Sequence, residues 1–102
     1  MRRYWVYMLR CSDGSLYTGY TVDLDERLAA HRRGRASKYT RSRLPVSVVY
    51  LEPASSLGGA LKREAEIKKL SRKAKLLLCG ANLHAVSLGR APTLRPLERD
   101  AP

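Results

Sequence analysis

Acidic residues are scarce. Nine Asp+Glu stand against 20 Lys+Arg in 102 residues, a net charge of +11. Such an excess repels itself and favours a polyanionic partner, nucleic acid ahead of an acidic membrane surface. Long apolar runs are missing too, and none reaches the roughly 18 residues of a transmembrane helix. The start Met1-Arg2-Arg3 is basic, but Arg10 interrupts the short apolar stretch behind it, so no secretory signal is expected. Cys11 and Cys79 are the two cysteines. They are expected to be reduced, in a cytoplasmic protein, although pairing is open in principle. With His31 and His84 they lack zinc-site spacing. There is no Gly-rich phosphate loop, no G-x-S-x-G, no H-E-x-x-H and no dinucleotide fingerprint. At this length, with 44% hydrophobic residues, one modest core and one domain are expected, without a separate cofactor domain.

What is present reads as a mixed α/β chain of the α+β type. Tyr4–Arg10 is rich in strand formers, Cys11–Ser15 carries an Asp-Gly turn signal, and Leu16–Tyr20 is a second strand, together a β-hairpin. An Asp13-Gly14 loop would put Tyr7 and Tyr17 on opposite faces, whereas a longer Asp13-Gly14-Ser15 loop, pairing Tyr7 with Thr21, puts them on one. The longer loop is the expectation, because a common site needs a common face. Asp23 followed by Glu26 predicts a helix start, and Gly34 its end. Leu24, Arg27, Leu28 and His31 share one face of that helix. Residues 35–45 read as a basic loop with one aromatic, and Val46–Leu51 as a third strand. A long helix is expected from Leu57, with a stripe of Leu57, Ala60, Leu61, Ile67 and Leu70. Ser71 is expected to cap a last helix that Gly80 ends. The domain expected is 1–80, with a flexible tail over 81–102, rich in proline and carrying little of the charge.

Each notable feature has a plain reading beside a functional one. Tyr4, Tyr7, Tyr17 and Tyr20 suit strands in any case. Arg27 and His31 are either a snorkelling arginine and a satisfied core histidine, or a phosphate clamp beside a proton acceptor. Glu64 within an apolar stripe is either an ion-pair partner of Lys68 or a ligand for a divalent cation that keeps most of its waters. Together these groups suit phosphodiester cleavage, which needs a base for water, positive charge for the phosphate and help for the leaving oxygen.

Trp5-Val6-Tyr7, then nine residues, then Tyr17-Thr18-Gly19, with Arg27-x-x-x-His31 and Arg63-Glu64 beyond, resembles the GIY-YIG endonuclease domain. Tyr4–Lys75 is similar to small stand-alone bacterial members, including Lys38-Tyr39-Thr40-Arg41. The resemblance implies a three-stranded antiparallel sheet flanked by helices and DNA cleavage with one divalent metal, Mg²⁺ or Mn²⁺. It implies Tyr7 as base toward water with His31 beside it, Tyr17 holding water and phosphate, Gly19 allowing close approach, Arg27 on the phosphate and Glu64 on the metal. Arg27 and the metal are expected to lower the pKa of Tyr7. The sequence departs from the family pattern at Trp5, Thr18 and Leu76, which stand where glycine, isoleucine and asparagine are usual.

The function expected is thus a structure-guided or unspecific DNA endonuclease, on branched or nicked DNA and of the DNA-repair kind. Lys38, Tyr39, Arg41, Arg43 and Lys68 are the expected nucleic-acid contacts. The alternative is a catalytically weak nucleic-acid-binding module on the same scaffold, since the basic charge alone suffices to bind phosphates.

Overall fold

A computed structural model describes residues 3–87, with side chains as far as residue 80. The chain runs β1 (Tyr4–Arg10), β2 (Leu16–Thr21), α1 (Leu24–Arg32), α2 (Lys38–Arg41), β3 (Ser47–Ala54), α3 (Leu57–Lys68) and α4 (Arg72–Ser87). The strands form one three-stranded antiparallel sheet, order β2-β1-β3. This is the α+β architecture expected from the sequence. Among the described residues no helix is long and apolar enough to cross a membrane.

The hairpin loop is Ser12-Asp13-Gly14, closed by the Cys11 N–H donating to the Ser15 carbonyl at 2.9 Å. It has the expected three-residue length but starts one residue earlier, so Tyr7 pairs with Gly19 rather than Thr21. The last position of such a loop needs positive φ. Gly14 takes it, at φ 85, whereas the expected loop would place Ser15 there. Asp13 braces the turn by accepting from the Ser15 hydroxyl and N–H at 2.6 and 3.0 Å. These bonds, with Arg43 beside it, hold the Asp13 carboxyl below its usual range. The shift of two in pairing preserves the parity, so Tyr7 and Tyr17 face the same side.

The sheet separates two cores. Tyr7, Leu9, Cys11, Val46 and Val48 meet Leu24 and Leu28 of α1 on one face. Val6, Met8 and Tyr50 meet Ala60, Ile67 and Cys79 on the other. Strict alternation would put Val48 and Tyr50 on the same face. They divide because the β1–β3 register shifts between Met8 and Leu9: Met8 pairs with Tyr50 but Leu9 with Val48. The bulge at Val49 lets one strand feed both cores. Pro53 is accommodated because β3 is an edge strand.

Several boundaries differ from expectation. The basic segment 35–45 holds a short helix, α2, capped by the Ser37 side chain. The third strand extends to Ala54. Along α3 only Ala60 and Ile67 are buried, while Leu57 and Leu61, and Leu70 beyond its end, are exposed. Ser71 caps α4 as expected, its Oγ accepting from the Ala74 N–H at 3.1 Å. Gly80 does not end that helix, which continues to Ser87. Of the expected tail, residues 88–102 lie outside the described residues.

Thr18 faces the second core, directly across from Met8, and among the described residues its buried hydroxyl has no hydrogen-bond partner. A buried unsatisfied hydroxyl costs on the order of 1–3 kcal/mol. Thr18→Val removes it at constant shape. Thermal unfolding should show a stabilised variant, by roughly 1 kcal/mol or about 4–8 °C; an unchanged or lower midpoint would mean that the hydroxyl is satisfied.

Candidate active site

Tyr7 points from β1 across Gly19 of β2 toward α1, and its hydroxyl lies 2.8 Å from Nε2 of His31. Both residues are fully buried. His31 reaches this position because α1 starts at a fixed point: the Asp23 side chain accepts from the Glu26 N–H at 3.1 Å. Leu24, Leu28 and His31 then fall on the inner face. Arg27 stays exposed at the pocket mouth, near enough to Tyr7 and His31 for its charge to act on both.

Gly19 is what makes room. A Cβ there would stand 2.6 Å from the Tyr7 oxygen and 3.3 Å from the Tyr17 ring. Tyr17 completes the aromatic wall, with its ring 5.2 Å from His31 and 6.5 Å from Tyr7. Its other neighbour is Tyr39, stacked at 6.0 Å. That stack brings α2 to the pocket and leaves Lys38 and Arg41 exposed beside it. Arg43 has a different place. Its Nε donates to Asp13 at 3.0 Å, its Nη1 donates to the Tyr39 carbonyl at 2.9 Å, and its guanidinium covers the Tyr39 ring at 3.9 Å. Arg43 therefore ties the hairpin turn to α2.

Glu64 arrives from α3, on the same helix face as buried Ala60 and Ile67. It is only 17% exposed, and its charge is felt at the Tyr7 hydroxyl. At 3.4 Å it pairs with Lys68, the plainer of the two readings of this carboxylate. Lys68 is thus engaged in the resting chain. The preceding residue fixes the helix: Arg63 Nε donates to Glu52 of β3 at 2.9 Å, and the Tyr50 hydroxyl donates to the same carboxylate oxygen. Burial and this bond push the Tyr50 hydroxyl up to about 12.

The structure thus brings Tyr7, Tyr17 and His31 into contact, with Arg27 and Glu64 near enough for their charges to act on Tyr7. Arg27 lowers the pKa of Tyr7 as expected, but burial outweighs it. Burial, with Tyr17 next, raises the pKa of Tyr7 well above the ordinary 10, and the nearby Arg27 only partly offsets this. His31 is pushed down to about 4, by burial first and Arg27 second. The resting pair is therefore a neutral phenol on a neutral imidazole. Sequence reasoning also missed the far side of His31. Its Nδ1 lies 2.8 Å from the hydroxyl of Thr40, a fully buried residue of α2. Ser37 three residues before Thr40 is the available signal, a cap-type residue in a helix too short for any periodicity to show.

A divalent cation fits this donor set. Among the described residues there is no group of three or more His, Cys, Asp or Glu side chains around a common point. Glu64 alone offers a hard oxygen, and Mg²⁺ and its analogues bind through one carboxylate, waters and substrate phosphate oxygens.

Two outcomes follow from this geometry. Gly19→Ala should destabilise the fold by roughly 1–3 kcal/mol in denaturant unfolding, as the new methyl displaces the Tyr7 hydroxyl; an unperturbed variant would mean that the ring yields freely. Stability should also depend on pH through His31. Its folded value of about 4 lies below the ordinary 6.5, so between the two the unfolded chain binds a proton that the folded chain does not. Stability is full above about 6.5 and falls as pH drops toward 4. The slope over that window should be shallower in His31→Gln, and equal slopes would place the imidazole in contact with solvent.

The GIY-YIG catalytic domain model matches residues 3–77. A UPF0213 protein of Syntrophus aciditrophicus is 53% identical over 83 residues, 80% of this chain and 95% of that protein. A UPF0213 protein of Staphylococcus haemolyticus is 49% identical over 76 residues, 74% and 93% of the two. Among solved structures, the solution NMR structure of the UPF0213 protein from Bacillus halodurans is 42% identical, covers 88% of each chain and superposes with a TM-score of 0.50. That of an E. faecalis protein is 35% identical, covers 81% of this chain and 90% of its own, and gives 0.55. The matched span contains Tyr7, Tyr17, Arg27, His31 and Glu64, and the chain belongs to the GIY-YIG catalytic domain family, a family of nucleases.

Proposed function

We propose that this protein is a divalent-metal-dependent endonuclease that hydrolyses DNA phosphodiester bonds, guided by structure or without sequence preference. The observation that carries the reading is the Tyr7–His31 bond, a buried proton donor and acceptor on which the charges of an exposed arginine and a carboxylate act. A basic surface without such a pocket would support binding alone.

Glu64 would hold the cation, releasing Lys68 from its ion pair. Bound there, the cation would supply positive charge for the phosphate and the leaving oxygen. Arg27, at the mouth, would contact the phosphate and stabilise the charge that develops on it. The Tyr7 oxygen would take a proton from the attacking water while its own proton passes to Nε2 of His31. Concerted transfer avoids a free phenolate, which this buried position disfavours. The water oxygen bonds to phosphorus as the bond to the leaving oxygen breaks. Tyr7 is fully buried at rest, so water and phosphate reach it only when side chains at the mouth move aside. Lys38 and Arg41 would track the backbone beside the pocket. Their contribution is unspecific, which suits a substrate recognised by shape, such as branched or nicked DNA.

The test is a nicking assay on supercoiled and branched DNA with Mg²⁺ or Mn²⁺. The wild type should cut, and Glu64→Ala should lose cleavage by at least about 10²-fold while keeping most of its binding. Lys38→Glu with Arg41→Glu should weaken binding and reduce the log K against log salt slope by about 2. A wild type that binds without cutting would establish the binding module instead.

A further inference from the structure

We propose that Thr40 is a positioning residue: its hydroxyl holds His31 in the tautomer whose bare Nε2 faces the Tyr7 hydroxyl. The kinetic consequence rests on the nuclease reading above, but the tautomer does not.

The assignment starts from Tyr7. A buried phenol must place its proton on an acceptor, and among the described residues the acceptor at hydrogen-bond distance is Nε2 of His31, at 2.8 Å. Arg27 has only protons to offer. Tyr7 therefore donates, Nε2 is bare, and the proton of the neutral ring sits on Nδ1. Nδ1 must then donate to the Thr40 hydroxyl oxygen, 2.8 Å away. Thr40 can accept there only if its own proton has another outlet. Ser37 provides one, with its Oγ at 3.0 Å and its carbonyl oxygen at 3.5 Å from the Thr40 hydroxyl. Donation therefore runs from Tyr7 to His31 to Thr40 to Ser37.

The surroundings hold Thr40 in register. It is fully buried, and its N–H donates to Ser37 Oγ at 3.1 Å as part of the α2 cap. The Tyr39 side chain next to it is stacked on Tyr17 and covered by Arg43. Residues that the sequence presents as a basic nucleic-acid loop thus also form a bracket behind the histidine. The reverse tautomer, with Nε2 protonated, would point a donor at Tyr7 and leave the phenol proton without an acceptor. The step that needs Nε2 empty, uptake of the tyrosine proton, would then be blocked. The charged groups facing His31 are Arg27 on its own helix and, through Tyr7, Glu64 from α3. Neither accepts from or donates to Nδ1, which leaves Thr40 as the partner that receives its proton among the described residues.

The experiment is ¹⁵N NMR of the imidazole nitrogens in the full chain at neutral pH, in a His84→Gln background that leaves one histidine, with cleavage kinetics alongside. The expected wild type shows a protonated Nδ1 and a bare Nε2. Thr40→Val, of the same shape, should mix the tautomers and lower kcat about tenfold with KM within about twofold. Thr40→Ser should restore both. Wild-type imidazole shifts in Thr40→Val, or a protonated Nε2 in the wild type, would overturn the proposal. If Thr40→Val does not fold, Ser37→Ala decides. Removing one outlet for the Thr40 proton should raise the fraction with Nε2 protonated, and no change would count against the relay of donors. A wild type without cleavage would sink the nuclease reading, while the shifts would still settle the tautomer.

Discussion

The hydrogen bond from the Tyr7 hydroxyl to Nε2 of His31 sets what the other parts of the site must do. It joins a strand to a helix that begins after the hairpin has closed, so it requires agreement between features distant in sequence. Tyr7 has to face α1, which the alternation of β1 fixes. His31 has to face the sheet, which the Asp23 cap and the helical period fix. The neighbouring strand has to leave space, which Gly19 does by having no side chain. Changing the parity of the hairpin by one residue would break the bond while leaving the composition untouched.

Burial determines the electrical character of the pair. A phenol and an imidazole sealed from water both resist ionisation, and the shifts run in opposite directions chiefly for that reason, Tyr7 upward and His31 downward. In a chain of net charge +11, the innermost reactive groups are neutral and the charges stand at the rim. Arg27 is exposed, and Glu64 is paired with exposed Lys68. Such a division suits a reaction on a polyanion. The long-range field concentrates phosphate at the mouth, and the proton transfer itself takes place where water does not compete.

Much of this was legible in the residues, and the failures have physical causes. The five candidate site residues could be named because their order and spacing survive any small error of register. The hairpin loop was misplaced by one position because the Asp-Gly signal marks a turn without saying which of its positions glycine takes; Gly14, at positive φ, closes the loop. The helix α2 was invisible because four residues cannot display a period. Along α3 the leucines suggested a broad stripe, but its buried face is narrow, Ala60 and Ile67. The lowering effect of Arg27 on Tyr7 was legible, but a sequence does not show the depth of burial, and here burial is the larger effect.

The bulge at Val49 connects these points. Tyr7 belongs to the core under α1 and Glu64 to the helix that covers the opposite face. The sheet between them must therefore be finished on both sides by strands with few residues to spare. Because Leu9 pairs with Val48 and Met8 with Tyr50, β3 sends Val46 and Val48 to the first layer and Tyr50 to the second. Beyond the bulge Glu52 continues on the side of Tyr50, where Arg63 grips it at 2.9 Å. That grip sets the rotation of α3, and Glu64 is the next residue along. A regular β3 that kept its first half in place would turn Glu52 toward α1, leaving Arg63 without its carboxylate and Glu64 without a fixed direction. The position of the metal-binding candidate thus depends on one unpaired residue in a strand that does not itself enter the pocket.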